Sequence, residues 1–448
     1  MQQMISLKKG LHIPLKGAAV ISWEKLPAVQ AYGLMPADFP GVVPRLLVRE
    51  GDTVKAGSPL FCDKNRPEVC FTSPVSGVVE AVVRGEKRRI LEVVVRSDGK
   101  QESLTFMQGD PEQLSPEQIR EALLSSGLWP SIVQRPYGVV ADPSDSPRDI
   151  FISCFDTAPL AGDLRFMMQG SEEDFQKGLM ALGKLTSGKV WLGVSEEGAS
   201  FFGGFHGVEC RVFRGLHPAG NVGVQIHHLA PVNKGETVWT VKPQEVVLMG
   251  RLFRTGGYDP LVGVALTGSE MPRPAYVKLR KGARLWETAG IAAEQEGIRV
   301  ISGNVLTGTR LSGGGFLGYY DTQVTAIPEG NEEEFLGWMM PGLKKFSVSR
   351  SFLSWIMPRR KYALNANLNG GERAFVFSGV YEKVVPMDIF PVFLLKAILA
   401  GDVEKMEQLG IYEVVEEDLA LCEFVCPSKT EVQRILRQGL DLVRREMS

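Results

Sequence analysis

The side chains with the most chemical range in this chain are its thiols and imidazoles. Six cysteines (Cys62, Cys70, Cys154, Cys210, Cys422, Cys426) and five histidines (His12, His206, His217, His227, His228) are scattered over 448 residues. Cys422-Glu-Phe-Val-Cys426-Pro427 matches the tail of the run C-x2-C-x2-C-x3-C-P that holds iron–sulfur clusters. The positions where the two preceding cysteines belong carry Leu419 and Glu416, so a four-thiolate set is incomplete. The pair reads as buried thiols in a helical region. His217, His227 and His228 sit close in sequence, yet no Cys, Asp or Glu beside them completes a ligand set. A Gly-rich loop with imidazoles hydrogen-bonded to backbone is the plainer reading. The chain has no C-x2-C pair, G-x-S-x-G elbow, H-E-x-x-H helix or Walker-type phosphate loop, which ranks hydrolase and P-loop chemistry low. No metal site and no catalytic residue are assigned.

Two further groups could bind without reacting. Met35, Phe39, Trp129 and Tyr137 suit either an apolar ligand pocket or a core. Residues 341–362 carry six cations (Lys344, Lys345, Arg350, Arg359, Arg360, Lys361) and no acid, interleaved with Phe, Ile, Met and Trp355. That mixture suits an anionic bilayer surface or a membrane partner as well as a solvated hairpin.

These residues need elements to hold them. Residues 44–60 read V-x-E-G-D-x-V-x-x-G-x-x-L from Val48, and residues 73–79 read S-P-V-S-G-x-V. Short alternating runs with Gly and Pro at the turns predict a small β-barrel of the biotinyl or lipoyl carrier type. Ser115-Pro-Glu-Gln predicts a capped helix over 116–126 stopped by Gly127. Residues 150–155, 172–185 and 188–194 read as a β-α-β unit, with further strands at 208–213, 275–279 and 299–309 and a helix near 285–289. Helical periodicity returns at 387–399, 403–409 and 430–447, the last with a capping-type start at Thr430-x-x-Gln433.

Composition narrows the class. Fifty Lys and Arg against 52 Asp and Glu leave a formal charge of −2, which argues against a nucleic-acid binder. Forty-nine glycines exceed the usual about 7% and point to many tight turns. The longest charge-free stretch, 215–233, holds three histidines and two prolines and cannot be a spanning helix of about 20 apolar residues. The N-terminal residues have no apolar h-region, so a cytoplasmic protein with free thiols is expected.

The ordered motifs K-K-G-L-x-x-P at 8–14, F-T-S-P-V-S-G at 71–77, S-G-L-W at 126–129 with Arg135-Pro136, H-P-A-G at 217–220, I-S-G-N-V-L-T-G-T at 301–309, G-W-M-M-P-G at 337–342, K-F-S-V-S-R-S-F-L at 345–353 and D-L-A-L-C-E-F-V-C-P at 418–427 resemble the A-subunit family of bacterial Na+-translocating NADH:quinone oxidoreductases. The family is similar in turn to the C-subunits of Rnf complexes and to the flavin-binding subunit of respiratory complex I. The resemblance implies an α/β plus α+β multidomain chain. Its parts would be a lipoyl/biotinyl-like barrel (1–105), a Rossmann-like α/β domain (106–257), a small β-grasp-like module (258–330), and a basic linker with a helical end domain (331–448).

The relatives that bind flavin have a Gly-rich loop after S-G-L. Here W-P-S-I-V-Q-R-P-Y occupies 129–137 without a glycine, so no flavin, NADH or iron–sulfur cluster is expected, and no covalently bound cofactor. The lack of a Met-Lys-Met hairpin makes carrier-type modification of Lys64 improbable. What the resemblance implies is a non-catalytic peripheral subunit on the cytoplasmic face of the bacterial inner membrane, assembled with five other subunits, that supports ubiquinone reduction. Gly33, Leu34, Met35, Phe39, Arg135, Pro136 and Tyr137 are the candidates for quinone contact. Lys344, Lys345, Arg350, Trp355, Arg359, Arg360 and Lys361 are those for docking to membrane or partner. The alternatives are an electron-input subunit that binds flavin and NADH, or a pure docking scaffold.

Overall fold

The computed structural model describes residues 4–286, 290, 296–312, 315–330 and 341–447. Residues 31–97 form two small antiparallel sheets. One orders Ala31–Leu34, Ile90–Ser97, Gly77–Arg84 and Thr53–Val54; the other orders Pro44–Leu46, Pro59–Asp63 and Cys70–Thr72. Leu60, Phe61, Val69, Val75, Val93 and Val95 are sealed between them. The turn glycines behave as their spacing predicts. Gly51 has φ 90°, and at Gly77 (φ 155°) a side chain would overlap the Arg96 carbonyl.

The next unit is built on a seven-stranded sheet. From edge to edge it runs Met4–Ser6, Glu209–Arg214, Val190–Ser195, Ile150–Ser153, Val238–Val241, Ile132–Arg135 and Val139–Val140. The first five are parallel, and the last two run antiparallel to their neighbours. The β-α-β unit expected around 150–194 is present, with its helix at Glu172–Lys184. Two helices without a clear sequence signal complete the layer. One is Val222–Leu229, in the stretch read as a Gly-rich loop; the other is Pro243–Thr255, with Pro at its first turn and Gly256 left-handed after its end. Helices Glu172–Lys184 and Pro243–Thr255 cross where both carry glycine. A Cβ on Gly178 would overlap the Val246 carbonyl, and one on Gly250 the Asp174 carbonyl.

A six-stranded mixed sheet follows, ordered Thr309–Arg310, Ile298–Ser302, Gln323–Pro328, Leu261–Thr267, Ala275–Arg280 and Val20–Glu24. The expected boundary at 105 therefore places two strands with the barrel that the chain spends elsewhere. Met4–Ser6 pairs with Glu209–Arg214, and Val20–Glu24 with Ala275–Arg280. Each extends a sheet edge that would otherwise expose unpaired backbone groups. The helix expected near 285–289 falls largely on residues 287–289, outside the described residues.

The C-terminal helices are Pro391–Ala400, Val403–Gln408, Ala420–Val425 and Val432–Met447, around Leu394, Leu395, Met406, Leu419, Leu436 and Leu440. The last does not start by the Thr430 capping box. The Gln433 N–H donates to the Glu423 carboxylate (3.0 Å), while the Gln433 side-chain amide reaches the Leu306 carbonyl (3.1 Å). A tertiary acceptor has replaced the local one. Among the described residues, no helix is long and apolar enough to cross a membrane.

Candidate functional site at the junction of the altered loop

Helix Pro116–Ser126 delivers the chain to the segment 127–138. Ser115 and Gln118 cap it reciprocally, and Gly127 (φ 75°) turns it off against Thr72, whose hydroxyl donates to the Ser126 carbonyl (3.2 Å). A closed turn then occupies Trp129–Ser131. The Ser131 N–H donates to the Leu128 carbonyl and the Ile132 N–H to the Trp129 carbonyl, so these amides do not face outward as a phosphate cradle. Trp129 is fully buried, edge-on to Trp239 at 5.4 Å, and its indole N–H donates to the Ala141 carbonyl (2.9 Å).

The strand Ile132–Arg135 ends in a cis Arg135-Pro136 bond and a turn in which Tyr137 (φ 84°) and Gly138 (φ 62°) are left-handed. Arg135 is buried and committed. Its Nη1 donates to Asp418 Oδ2 (2.8 Å) and its Nη2 to Glu417 Oε1 (2.7 Å). Asp418, itself fully buried at its side chain, also accepts the Val415 N–H (3.0 Å). Arg437 pairs with Glu416 and donates to the Tyr137 carbonyl (2.8 Å). Arg135 from the loop onto two end-domain acids, and Arg437 from the end domain onto the Tyr137 carbonyl, thus clamp the altered loop to the helical end domain. Tyr137 is half-buried, edge-on to Tyr412 at 6.4 Å, and burial pushes its hydroxyl pKa up.

Beneath the loop lies a second polar cluster in which three sheets meet. Lys281 Nζ is 2.5 Å from Glu245 Oε2 and 3.6 Å above the Tyr319 ring. Ser131 donates to the same Glu245 oxygen (2.6 Å), which leaves the Tyr319 hydroxyl to donate to Ser131 (3.1 Å). Burial lowers the Lys281 pKa against the pull of Glu245. The Tyr319 N–H donates to Asp38 Oδ2 (2.8 Å), and burial lifts that carboxyl to about 7.

The other quinone candidates sit around this cluster. Phe39 is buried against Phe71 (4.3 Å), Tyr319 (4.8 Å) and Tyr320 (5.8 Å). Gly33 and Leu34 are buried in a strand, and a Cβ on Gly33 would enter the Phe316 ring. Met35 is only partly buried. The candidates fall into two groups, Gly33 to Phe39 over the Tyr319 cluster and Arg135 to Tyr137 over the helical end domain. Two surface clefts are lined by none of these candidates, although the second includes Tyr412, against which Tyr137 packs. One of about 480 Å³ lies between the barrel and helix Pro116–Ser126. The other, of about 260 Å³, includes Asp388, Phe390, Tyr412 and Glu413.

The histidines do not converge. Thr157 Oγ1 accepts the Gly220 N–H (2.9 Å) and shares a hydrogen bond with His217 Nδ1 (3.1 Å), and burial lowers the His217 pKa. His227 accepts the Asp388 N–H at Nε2 (3.0 Å) and donates from Nδ1 to Glu413 (2.6 Å). His228 donates to the Pro386 carbonyl (2.8 Å). The last two stand on helix Val222–Leu229, so the Gly-rich loop reading is corrected there: the helix is wedged between two cores, with Val224 buried in that of the helical end domain and Ile226 buried on its other side with Phe151 and Val238. Cys422 is buried on helix Ala420–Val425 with its thiol pKa pushed up by burial, and Cys426 Sγ accepts the Thr430 N–H (3.4 Å). Among the described residues no three His, Cys, Asp or Glu side chains are placed to hold a metal ion.

Asp38, Glu245, Lys281, Tyr319, Glu417 and Arg437 carry no motif that singles them out in the sequence, and Asp418 stands at the head of the run 418–427 whose cysteines drew the reading. The acidic triplet Glu416-Glu417-Asp418 ahead of a helix is the one signal available for the last group.

Of the docking residues, Lys344, Arg350, Trp355, Arg359 and Lys361 are exposed, while Lys345 and Arg360 are partly covered, over the rings of Phe352 (5.4 Å) and Tyr362 (5.9 Å).

A barrel-sandwich region, an α/β layer, a mixed sheet and a helical end, locked at one junction by ion pairs, define a multidomain α/β protein. Family models match residues 5–98 as the NqrA N-terminal barrel-sandwich hybrid domain, 114–258 as the NqrA second alpha/beta domain and 263–313 as the NQRA C-terminal domain. The chain is 42% identical over 448 residues to the A-subunit of the Na(+)-translocating NADH-quinone reductase of Yersinia pestis bv. Antiqua (strain Angola), covering 99% of this chain and 100% of the relative. It is 40% identical to the protein of the same name in Rhodopirellula baltica over 99% of each chain, and 40% identical to that of Pasteurella multocida over 99% and 100%. The chain belongs to the NqrA family, the A-subunits of the Na+-translocating NADH-quinone reductases. Among solved structures, an NAD+-reducing NiFe-hydrogenase in the air-oxidized state is similar at 11% identity and a TM-score of 0.38, over 75% of this chain and 62% of that one.

Proposed function

We propose that the chain is a peripheral subunit of a Na+-translocating NADH:ubiquinone oxidoreductase, held on the cytoplasmic face of the membrane with five partner subunits. It supports quinone reduction without a flavin or iron–sulfur cluster of its own. The observation that carries this reading is the filled loop. Trp129 and Pro130 are buried where an anion-binding loop needs open amides, and Arg135, the cation of that loop, already serves two carboxylates. The five-strand parallel run of the α/β sheet supports naming it Rossmann-like, and the mixed sheet of 261–328 supports a β-grasp-like module.

Within the quinone reading the candidate residues take different roles. Tyr137 stands half-exposed at the turn and offers a hydroxyl to a quinone carbonyl, with Met35 the partly exposed apolar member of the other group. Arg135 and Pro136 are positioning residues that set the Tyr137 turn, while Gly33, Leu34 and Phe39 shape the core beneath. The cationic segment 344–361 with Trp355 docks the chain to an anionic membrane face or to its partners.

Titration of the purified chain with a short-chain ubiquinone, followed by calorimetry, tests the first part. Saturable binding is expected, weakened about 2- to 13-fold by Tyr137→Phe, the loss of one hydrogen bond of about 0.5–1.5 kcal/mol. No saturable binding removes the quinone role. Stoichiometric flavin absorbance in the purified chain overturns the cofactor-free reading.

A further inference from the structure

Cys62 and Cys70 lie directly opposite each other on neighbouring antiparallel strands, Pro59–Asp63 and Cys70–Thr72. The Asp63 N–H donates to the Val69 carbonyl (3.0 Å), the bond that flanks a non-hydrogen-bonded pair in an antiparallel ladder, while the Val69 N–H turns back to the Arg66 carbonyl (2.9 Å). The adjoining Cys62/Cys70 pair is then of the non-hydrogen-bonded kind, whose Cα atoms approach to about 4.5 Å with both side chains on one face. A disulfide spans Cα separations of about 4.4–6.8 Å. The alternate residues Phe61 and Phe71 stack at 4.7 Å on the opposite face, which fixes the register that sets the two cysteines across from each other, while the Cys70 thiol donates to the Pro67 carbonyl (3.6 Å).

The two thiols differ in access. Cys62 is fully buried, whereas Cys70 is partly exposed and lines the cleft of about 480 Å³ with Pro59, Glu68, Glu117, Arg120 and Glu121. We propose that this pair is a reversible thiol modification site: Cys70 takes up a low-molecular-weight thiol from its disulfide, and Cys62 resolves the adduct into a cross-strand disulfide. The Cys70 thiolate attacks one sulfur of the small disulfide, forming a mixed disulfide and releasing one small thiol. The Cys62 thiolate then attacks the Cys70 sulfur and expels the second. Two protein S–H groups and one small disulfide become one protein S–S bond and two small thiols, and excess small thiol reverses both steps. Burial and the neighbouring Cys62 push the Cys70 thiol pKa up, with Arg45 acting in the opposite sense, so the exchange accelerates as pH rises above neutral.

The full chain, incubated with oxidised glutathione at pH 8, alkylated and digested with trypsin without reduction, gives the test. Trypsin cuts after Lys64, between the two cysteines, so a disulfide keeps two peptides joined until it is reduced. The joined pair is expected in the wild-type chain, with Cys70 becoming protected from the alkylating reagent at least about tenfold faster than the buried Cys154. Cys62→Ser should accumulate glutathione on Cys70, and Cys70→Ser should block both products. Cys62 and Cys70 recovered singly alkylated from the wild-type chain overturn the proposal, as does a mixed disulfide on Cys70 that never advances to the joined pair.

Discussion

Arg135 shows how one residue changes meaning when its surroundings are known. From sequence it offers a cation to a ligand carbonyl; in the fold it has 4% side-chain exposure and two carboxylate partners. Its value is conditional, because removing it strands the fully buried Asp418 carboxylate without its cation. Arg135→Ala is expected to cost about 3–5 kcal/mol, the usual consequence of leaving one member of a buried pair alone, read as a drop in the urea midpoint. A loss below about 1 kcal/mol would mean that Asp418 finds another partner or solvent. Asp38 carries the opposite electrostatic signature. Burial holds its carboxyl near 7, only partly offset by the Tyr319 N–H, with Asp321 adding to the rise and Lys281 opposing it. An acid with a raised folded pKa has no such burden at low pH, where both states are protonated. It loses stability as the unfolded chain ionises from about pH 4, and the loss levels off above about 7. Asp38→Asn keeps an acceptor for Tyr319 and removes the titration. Its stability should therefore fall less than wild type between pH 4.5 and 7.5, and parallel curves in denaturant titrations would exclude this origin.

At the scale of elements, the legible parts are those whose signals are local. The helix after Ser115 carries its cap, its proline and its terminal glycine in a single short stretch, and all three act as read. The carrier-like turns at Gly51 and Gly77 are equally local. Helix Pro243–Thr255 has the same punctuation, Pro at the start and Gly256 at the end, but it is buried along most of its length and lacks a clean polar face. The helix around His227 is hidden by glycine and histidine content. The partners of Arg135 lie 282 and 283 residues away, a pairing that no spacing rule can reach. The crossing of helices Glu172–Lys184 and Pro243–Thr255 is likewise a tertiary fact written in two glycines. Gly250→Ala would drive a methyl into the Asp174 carbonyl, whose own side chain is held by Arg254 and Arg251. The helices must separate to admit it, so thermal unfolding should show a loss at the upper end of the about 1–3 kcal/mol typical of overpacking. Gly183→Ala, on the first of these helices with open space at its Cβ, is the matched control and should be neutral or stabilising.

For the whole molecule, a net charge of −2 conceals a strongly asymmetric surface. Six cations without an acid fall in residues 344–361, and the same segment exposes Trp355 at 54% and Ile356 at 60%. It is tied to the body rather than loose: the Tyr362 N–H donates to the Pro14 carbonyl (2.8 Å), and the Lys16 N–H donates to the Tyr362 carbonyl (2.9 Å). A segment fixed at its end, with apolar side chains outward and cations around them, matches a surface that is anionic and apolar at once. Each basic residue near such a surface contributes about 1 kcal/mol. Replacing Arg359, Arg360 and Lys361 by Glu should therefore weaken partitioning onto phosphatidylglycerol vesicles by at least about 100-fold, since the loss of three such contributions exceeds the 1.4 kcal/mol of a tenfold step twice over. Neutral phosphatidylcholine vesicles should bind the wild-type chain weakly, and salt should erase the difference between the two. The same triple variant in the assembled complex separates the two docking surfaces. Loss of vesicle binding with intact assembly assigns the segment to lipid, and loss of assembly with unchanged vesicle binding assigns it to a protein partner. Neither effect would leave the cations as an ordinary solvated face.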